Sequence, residues 1–342
     1  MIELKRVDCL DVAKGIAIIL VVFGHAISKD MASKSIVVSV IRTNIYWIHM
    51  PAFFAVAGIL FGYNKKRYKE NSVSAYIKKK SITYLIPYCT FSLFSFLVFS
   101  FIESVPALAF ISEKTGYTTH SISQFIFSVI TYINPVDDHL WFVYVMFLVC
   151  CLSRLLIDVD SRLMIFVMLV LNSLMCFLDT PEIVWKTIRY AMVFYIGVYW
   201  QDKDILNNIR TNKFLVALAG FVMSVIINTY FRYSVFLWYK CITYPIALIY
   251  GAYILLVLAS ILQNKKKIAN VLKYMGNNSY PIYLMHQPFI VNGLAFILGR
   301  MHLYGVLVVS ISGTIGTVVP LILNRFIVRK NPITKLLLLG NH

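Results

Sequence analysis

Asp11-Val-Ala-Lys14-Gly15-Ile-Ala-Ile-Ile-Leu-Val-Val-Phe-Gly24-His25 is an apolar run interrupted by an acid, an amine and an imidazole. Its character fits a membrane-spanning helix, which needs about 20 largely apolar residues. Ionisable side chains in such a helix are costly and by default mark a function. At about 100° per residue, the steps from Lys14 to His25 nearly complete three turns. The two side chains therefore share one face, roughly 16 Å apart along the axis. Asp11 falls close to the same stripe, one turn before Lys14. The plain alternative is that Lys14 extends its amine to one surface while His25 caps or packs near the other. The shared face, with Asp11 on it, favours a site: histidine can act as a general base near neutral pH, and a cation can stabilise developing negative charge.

The rest of the chain repeats the apolar pattern. Of its 342 residues, 59% are hydrophobic and only 14% charged, with a mean hydropathy of +0.75; soluble domains run near 25% charged. The reading is an all-α polytopic integral membrane protein in a single transmembrane domain, 1–342. Ten segments are candidate spans: 10–28, 43–63, 81–102, 140–157, 163–179, 186–201, 213–230, 241–262, 279–299 and 304–328. The fifth and sixth are short enough to be tilted, re-entrant or merged. The longest connection, 103–139, mixes polar and aromatic residues and is read as covering one membrane face. No internal repeat stands out.

A net charge of +17 would suit a nucleic-acid binder if the basic residues sat on one domain. They lie between the apolar segments instead, so no nucleic-acid partner is expected. With a cytoplasmic N-terminus, the inner side carries Lys5, Arg6, the cluster from Lys65 to Lys80, Lys265, Lys266, Lys267 and Lys273, and Arg325, Arg329, Lys330 and Lys335. Lys and Arg fall there more than twice as often as on the outer side, where Lys29, Lys34, Arg42, Lys114, Lys186 and Arg189 lie. That bias fits ten helices with both termini cytoplasmic. The cysteines, Cys9, Cys89, Cys150, Cys151, Cys176 and Cys241, lack metal-type spacing and are read as small packing residues. Lys5 and Arg6 before an apolar core imitate a signal peptide, but Asp8, Asp11 and Lys14 break that pattern, so the first helix is expected to be retained.

Three further stretches carry chemistry. Tyr46-Trp47-Ile48-His49-Met50-Pro51 opens the second segment, where Pro51 tends to kink a helix and expose carbonyls near His49. A helix starting at an aromatic interface is the competing reading there. Asp137-Asp138-His139-Leu140-Trp141 begins the fourth segment; the carboxylates and His139 suit sugar hydroxyls, and Trp141 suits a sugar ring or an interfacial belt. In Asn277-Asn278-Ser279-Tyr280-Pro281-Ile282-Tyr283-Leu284-Met285-His286, Tyr283 and His286 share a face. Lys78-Lys79-Lys80 could bind a cytoplasmic polyanion such as a nucleotide-bearing cofactor; anionic lipid explains the same residues. Nothing resembles a phosphate-binding glycine loop, a Rossmann fingerprint, a zinc site or a Gly-x-Ser-x-Gly elbow, and no metal is expected.

These stretches resemble the integral-membrane acyltransferase type 3 family, particularly its fucose 4-O-acetylase-like branch. Asp11, Lys14, Gly15 and His25 resemble its Asp-x-x-(Arg/Lys)-Gly-hydrophobic-His signature. His49-Met50-Pro51-Ala52-Phe53-Phe54 resembles its His-Met-Pro-x-Phe-Phe segment, His139-Leu140-Trp141-Phe142 its His-Leu-Trp-Phe motif, and Tyr283-Leu284-Met285-His286-Gln287-Pro288 its Tyr-Leu-x-His-x-Pro motif. The matches run in order from about residue 8 to residue 290. Ala57-Gly58 replaces the usual Ser-Gly, and Lys80-Ser-Ile-Thr83 lacks the second cation of the usual Arg-x-x-Arg.

The resemblance implies an O-acyltransferase of the bacterial cytoplasmic (inner) membrane. It would move acetyl from acetyl-CoA, as acyl donor, to a hydroxyl of a surface or lipid-linked glycan such as O-antigen, capsule or exopolysaccharide. Under it, His25 is the expected general base, with Lys14 and Asp11 completing the catalytic set; His49, His139, Trp141, Tyr283 and His286 contact substrate, and Lys78 and Lys80 the donor. A polar cavity would join the two ends, and anionic lipids would meet the basic loops. A non-enzymatic transporter or flippase of a lipid-linked glycan is the rival reading, for which broken helices in two matching halves would speak.

Overall fold

Backbone groups shielded from water must pair within their own segment, so long apolar stretches become helices. The computed structural model describes residues 4–106, 108, 121–133, 135–208, 212–230, 238–301 and 303–340, and among them there is no strand. Helix α1 spans Leu4–Ala26, followed by α2 (Lys29–Lys34) and the long α3 (Ile36–Glu70). Next, α4 (Val73–Lys80) passes through a π-helical turn at Ser81–Leu85 into α5 (Ile86–Ser104). Then come α6 (Ile122–Thr131), a 3-10 turn at Asp138–Leu140, α7 (Trp141–Leu155), α8 (Ser161–Met175) and α9 (Glu182–Asp202). The chain continues through α10 (Ile205–Asn208), α11 (Asn212–Tyr230), α12 (Trp238–Leu262) and α13 (Lys266–Asn277). It closes with α14 (Ser279–Met285), α15 (Val291–Arg300), α16 (Gly305–Phe326) and α17 (Pro332–Leu339).

Among the described residues, six stretches are long and apolar enough to cross a membrane: Asp8–Ala26, Ile36–Glu70, Val73–Ser104, Asp138–Leu155, Cys241–Leu262 and Gly305–Lys330. Helix α8, the Phe214–Tyr230 part of α11, and α15 are apolar but shorter. Helix α9 has 21 residues, yet Glu182, Lys186, Arg189 and its tyrosines lower its hydropathy. Its stretch from Tyr190 to Val198 is buried against protein, so polar and aromatic side chains there have protein partners.

Two prolines behave differently. The segment expected as one helix over 279–299 is broken between Met285 and Val291, where Pro288 offers no backbone donor. Pro51, by contrast, lies inside α3 without ending it. It leaves the Trp47 carbonyl without its usual helical donor, and Gly251 of α12 packs there so closely that a Cβ would collide with that oxygen. The expectation for connection 103–139 concerns mainly residues 109–120, which lie outside the described residues.

Paired glycines set the two tightest crossings. A methyl group on Gly15 would strike the Leu272 carbonyl, and one on Gly276 the Asp11 carbonyl, so α1 and α13 touch backbone to backbone. Gly58 against Phe194 and Gly197 against Ala55 do the same for α3 and α9. Small residues permit such approach in helices that have little hydrophobic drive to associate. Gly58, at the position after Ala57, is thus a packing residue of the α3–α9 seam.

Candidate active site

The last turn of α1 carries His25, and the first half of α3 carries Arg42, Tyr46 and His49 at spacings that share one helix face. Tyr46 Oη lies 3.0 Å from His25 Nδ1. The Arg42 guanidinium stands 4.9 Å from the Tyr46 ring centre, and its Nε donates to the Ile27 carbonyl at 3.0 Å. This carbonyl follows the end of α1, so Arg42 ties α3 to the place where His25 is presented. Tyr46 and His49 have ring centres 5.1 Å apart.

Two other stretches complete the cluster. The end of α14 delivers His286, whose ring centre is 5.3 Å from that of His25 and 5.6 Å from that of His139. The 3-10 turn before α7 delivers His139, 5.7 Å from the ring of Tyr283. His49 and His286 are fully buried and His139 nearly so, whereas His25 is half-buried. His25 is therefore the imidazole on the open side of the cluster.

The hydrogen bonds assign tautomers. His286 Nδ1 lies 2.6 Å from the Tyr283 carbonyl and 3.1 Å from the Ile282 carbonyl. Carbonyls only accept, so Nδ1 carries the proton and Nε2 carries the lone pair. His139 Nδ1 meets Asp137 Oδ1, and Ser95 Oγ donates to Asp137 Oδ2 at 2.8 Å. The carboxylate holds His139 in the same tautomer, and the Tyr283 hydroxyl donates to the His139 carbonyl. Nε2 of His139, Nε2 of His286 and both ring nitrogens of His49 are buried without a hydrogen-bond partner. A pocket that holds such atoms can accept protons from a bound group.

Trp141 forms a wall beside this cluster. Its ring is 5.0 Å from Tyr190 and 6.5 Å from Phe54, centre to centre, and Lys186 Nζ stands 4.5 Å from it. Of the expected site residues, His25, His49, His139, Tyr283 and His286 gather in one place, with Trp141 alongside.

Asp11 and Lys14 are elsewhere, toward the start of α1. They pair with each other at 2.7 Å, and the Asn277 amide, turned to donate, reaches the two Asp11 oxygens at 3.3 and 3.2 Å. Between this end and His25, the stripe carries Ile18, Val21 and Val22, all fully buried. Packed aliphatic side chains, not the expected polar cavity, fill that side of α1. The helix rise sets Lys14 and His25 roughly 16 Å apart, so the three expected catalytic residues form no single constellation. Lys80 is half-buried, 5.6 Å from the Tyr76 ring and 5.5 Å from the Tyr84 ring, while Lys78 points to the exterior. Tyr84 in turn meets Tyr280, 6.1 Å away, which links Lys80 to the neighbourhood of Asn277.

Sequence reasoning missed Arg42, Tyr46 and Ser95 as members of the site. The recurrence of Arg42, Tyr46 and His49 on one helical face was a usable signal; Ser95, on a different helix from its partner, gave none. Asp137 was visible only as a carboxylate suited to sugar hydroxyls, and the structure makes it the partner of His139.

A family model described as an acyltransferase domain matches residues 7–325, and so contains every residue of the cluster. No curated protein and no solved structure matches the chain.

Proposed function

The chain belongs to the acyltransferase type 3 family, and from that premise we propose that it moves acetyl from cytoplasmic acetyl-CoA to a hydroxyl of a cell-surface or lipid-linked glycan. Members of the family are acyltransferases, which sets aside a non-enzymatic flippase. The observation that carries the proposal is the convergence of four imidazoles from α1, α3, the Asp138–Leu140 turn and α14, three of which (His49, His139 and His286) have buried ring nitrogens without a hydrogen-bond partner. An acyl transfer to an alcohol needs a base for the hydroxyl proton. The fucose 4-O-acetylase-like branch is the nearest reading of its motifs.

In this proposal ten helices cross a bacterial cytoplasmic membrane with both termini inside. The histidine end then faces outward, where surface glycans mature, and the Asp11 end faces the cytoplasm and its acetyl-CoA. The acceptor hydroxyl comes to His25, the half-buried imidazole. His25 takes its proton as the hydroxyl oxygen attacks the thioester carbonyl. The tetrahedral intermediate collapses with cleavage of the carbon–sulfur bond, and the proton goes to the departing thiolate. The products are an acetyl ester and free coenzyme A. Tyr46 orients His25 through Nδ1, while His49, His139, Tyr283 and His286 line the reaction space and Trp141 offers a face for a sugar ring. At the inner end Lys80, Lys78 and Lys14 supply positive charge for the coenzyme's phosphates, the acyl-bearing arm reaches His25 by a path other than the packed stripe of Ile18, Val21 and Val22, and the basic loops meet anionic lipid headgroups.

The test is the O-acetyl content of surface polysaccharide, by proton NMR, in cells carrying the protein, His25→Ala, or neither. An acetyl signal confined to the wild type is the expected result. Full acetylation with His25→Ala would remove His25 from the chemistry; loss of the polysaccharide itself, with His25→Ala behaving as wild type, would overturn acyl transfer to it.

A further inference from the structure

A second polar feature lies beside the histidine cluster. A cavity of about 280 Å³ opens where the end of α8 meets the start of α9, lined on its polar side by Asn172, Asp179, Thr180, Trp185 and Arg189. Small-molecule sites run from about 300 Å³ upward, so this one suits a single sugar-sized unit. Arg189 is its organising group. Its guanidinium carbon stands 4.6 Å from the Trp185 ring centre and 4.5 Å from that of Tyr244. Its Nε donates to Asn172 Oδ1 at 3.0 Å. Asn172, 2% exposed, is fixed in turn by donating Nδ2 to the Cys241 carbonyl at 3.3 Å.

The guanidinium plane is thus held on one edge and against two rings. Among the described residues its terminal nitrogens have no hydrogen-bond partner, and Arg189 makes no ion pair. A fixed guanidinium with a free fork matches the two oxygens of a carboxylate or phosphate. The other polar lining groups, a hydroxyl, an amide and a carboxylate, suit sugar hydroxyls. Lys186 joins the cavity to the site: its Nζ is 5.8 Å from the Trp185 ring and 4.5 Å from the Trp141 ring, and Trp141 follows His139 by two residues.

We propose that this cavity binds an acidic unit of the acceptor, a sugar bearing a carboxylate or phosphate, and so makes the protein prefer anionic glycans. The inference rests on the acceptor being a glycan. A sugar held by Arg189 would place its neighbour along Trp141, toward the histidines.

The experiment measures binding without turnover, by intrinsic tryptophan fluorescence of the full chain in lipid nanodiscs at fixed ionic strength. The probes are glucuronic acid, glucose 1-phosphate and glucose. At least one acidic probe is expected to bind on the order of tenfold tighter than glucose, as a charge-assisted, bidentate contact allows; which of the two does so identifies the oxyanion. Arg189→Gln should erase that preference. Asp179→Asn, a change at an exposed rim carboxylate, should tighten the acidic probe by roughly two- to fivefold and leave glucose unchanged, since it removes a like charge. This second variant keeps the test decisive if Arg189→Gln fails to fold. Equal binding of glucose and both acids by the wild type, or no change in Asp179→Asn, overturns the proposal. Acetyl transfer is assayed separately on neutral and acidic oligosaccharides. Transfer without preference for acids defeats this inference alone, whereas acid binding with no transfer to any glycan defeats the acceptor reading and leaves the cavity's ligand chemistry in place.

Discussion

At the start of α1, Asp11 closes on Lys14 at 2.7 Å and Asp8 on Lys273 at 2.5 Å; at its end, His25 faces His286, whose Nε2 is buried and unpaired, as is that of His139. Both regions put polar groups into an apolar protein, but they manage them differently. The first satisfies its charges internally, with Asn277 adding donors to Asp11 and Asn324 and Arg329 both donating to Asn278 nearby, at 3.0 and 3.3 Å; among the described residues there, only the amide oxygen of Asn324 stays buried without a partner. The second leaves imidazole nitrogens without partners, and each buried unsatisfied group costs about 1–3 kcal/mol. Native folds keep few such groups, and each calls for a reason. In the proposed reaction a bound reactant supplies the missing partner, with bonds changing at the unpaired end and the donor held at the paired end.

The sharpest way to break this contrast is His25→Ala. General-base catalysis contributes about 10²–10⁴-fold, so acetyl transfer should fall at least that far, with membrane insertion and thermal stability nearly unchanged because the position is half-buried. A variant that unfolds would make His25 a packing residue instead. Next in size is Asp137→Asn. The amide cannot hold His139 as the carboxylate does, and Ser95 loses its charged acceptor. A fall in kcat of about 10²-fold, with little change in the KM for acetyl-CoA, is expected if His139 serves proton transfer. A change in KM alone would place His139 among groups that only bind.

The smaller Lys14→Ala effect tests the paired end. If Lys14 positions the donor, the KM for acetyl-CoA should rise about tenfold, equivalent to about 1.4 kcal/mol, while kcat is retained. Lys14→Arg should restore much of the affinity. A collapse of kcat at unchanged KM would put Lys14 at the thioester, against the roughly 16 Å that the helix rise sets between it and His25.

Much of this architecture is legible in the chain. Apolar length locates the six helices long enough to cross a membrane but not polar ones such as α2 and α13, and helical spacing puts Asp11, Lys14 and His25 on one stripe. The same arithmetic misleads about what joins them: it registers direction, not burial, and Ile18, Val21 and Val22 pack shut between the polar ends. The gathering of His25, His49, His139 and His286 is a tertiary event that periodicity within any one helix cannot reveal. Nor could the fate of each proline be read locally. Pro51 is tolerated because Gly251 lets α12 close over the freed carbonyl, while the chain at Pro288 breaks and leaves His286 at a helix end. Arg189 looked like one more outer-side cation. Only its placement between Trp185, Tyr244 and Asn172 gives it a role.

The finest test of the comparison lies within the last three residues of α4. Lys78 and Lys80 were indistinguishable as members of a basic run, but Lys78 is exposed while Lys80 is half-buried over Tyr76 and Tyr84. An exposed lysine in high dielectric contributes little to holding a phosphate, typically below about 1 kcal/mol. A cation fixed against aromatic rings has lost some of its freedom before the ligand arrives, which lowers the cost of binding. Lys80→Ala should therefore raise the KM for acetyl-CoA by about three- to tenfold, and Lys78→Ala by less than about twofold. Raising the salt concentration should shrink the Lys78 effect first, because screening acts most on exposed charges. Equal effects of the two substitutions would mean that the basic end of α4 works as diffuse charge, and that the order seen around Lys80 serves packing of α4 rather than the donor.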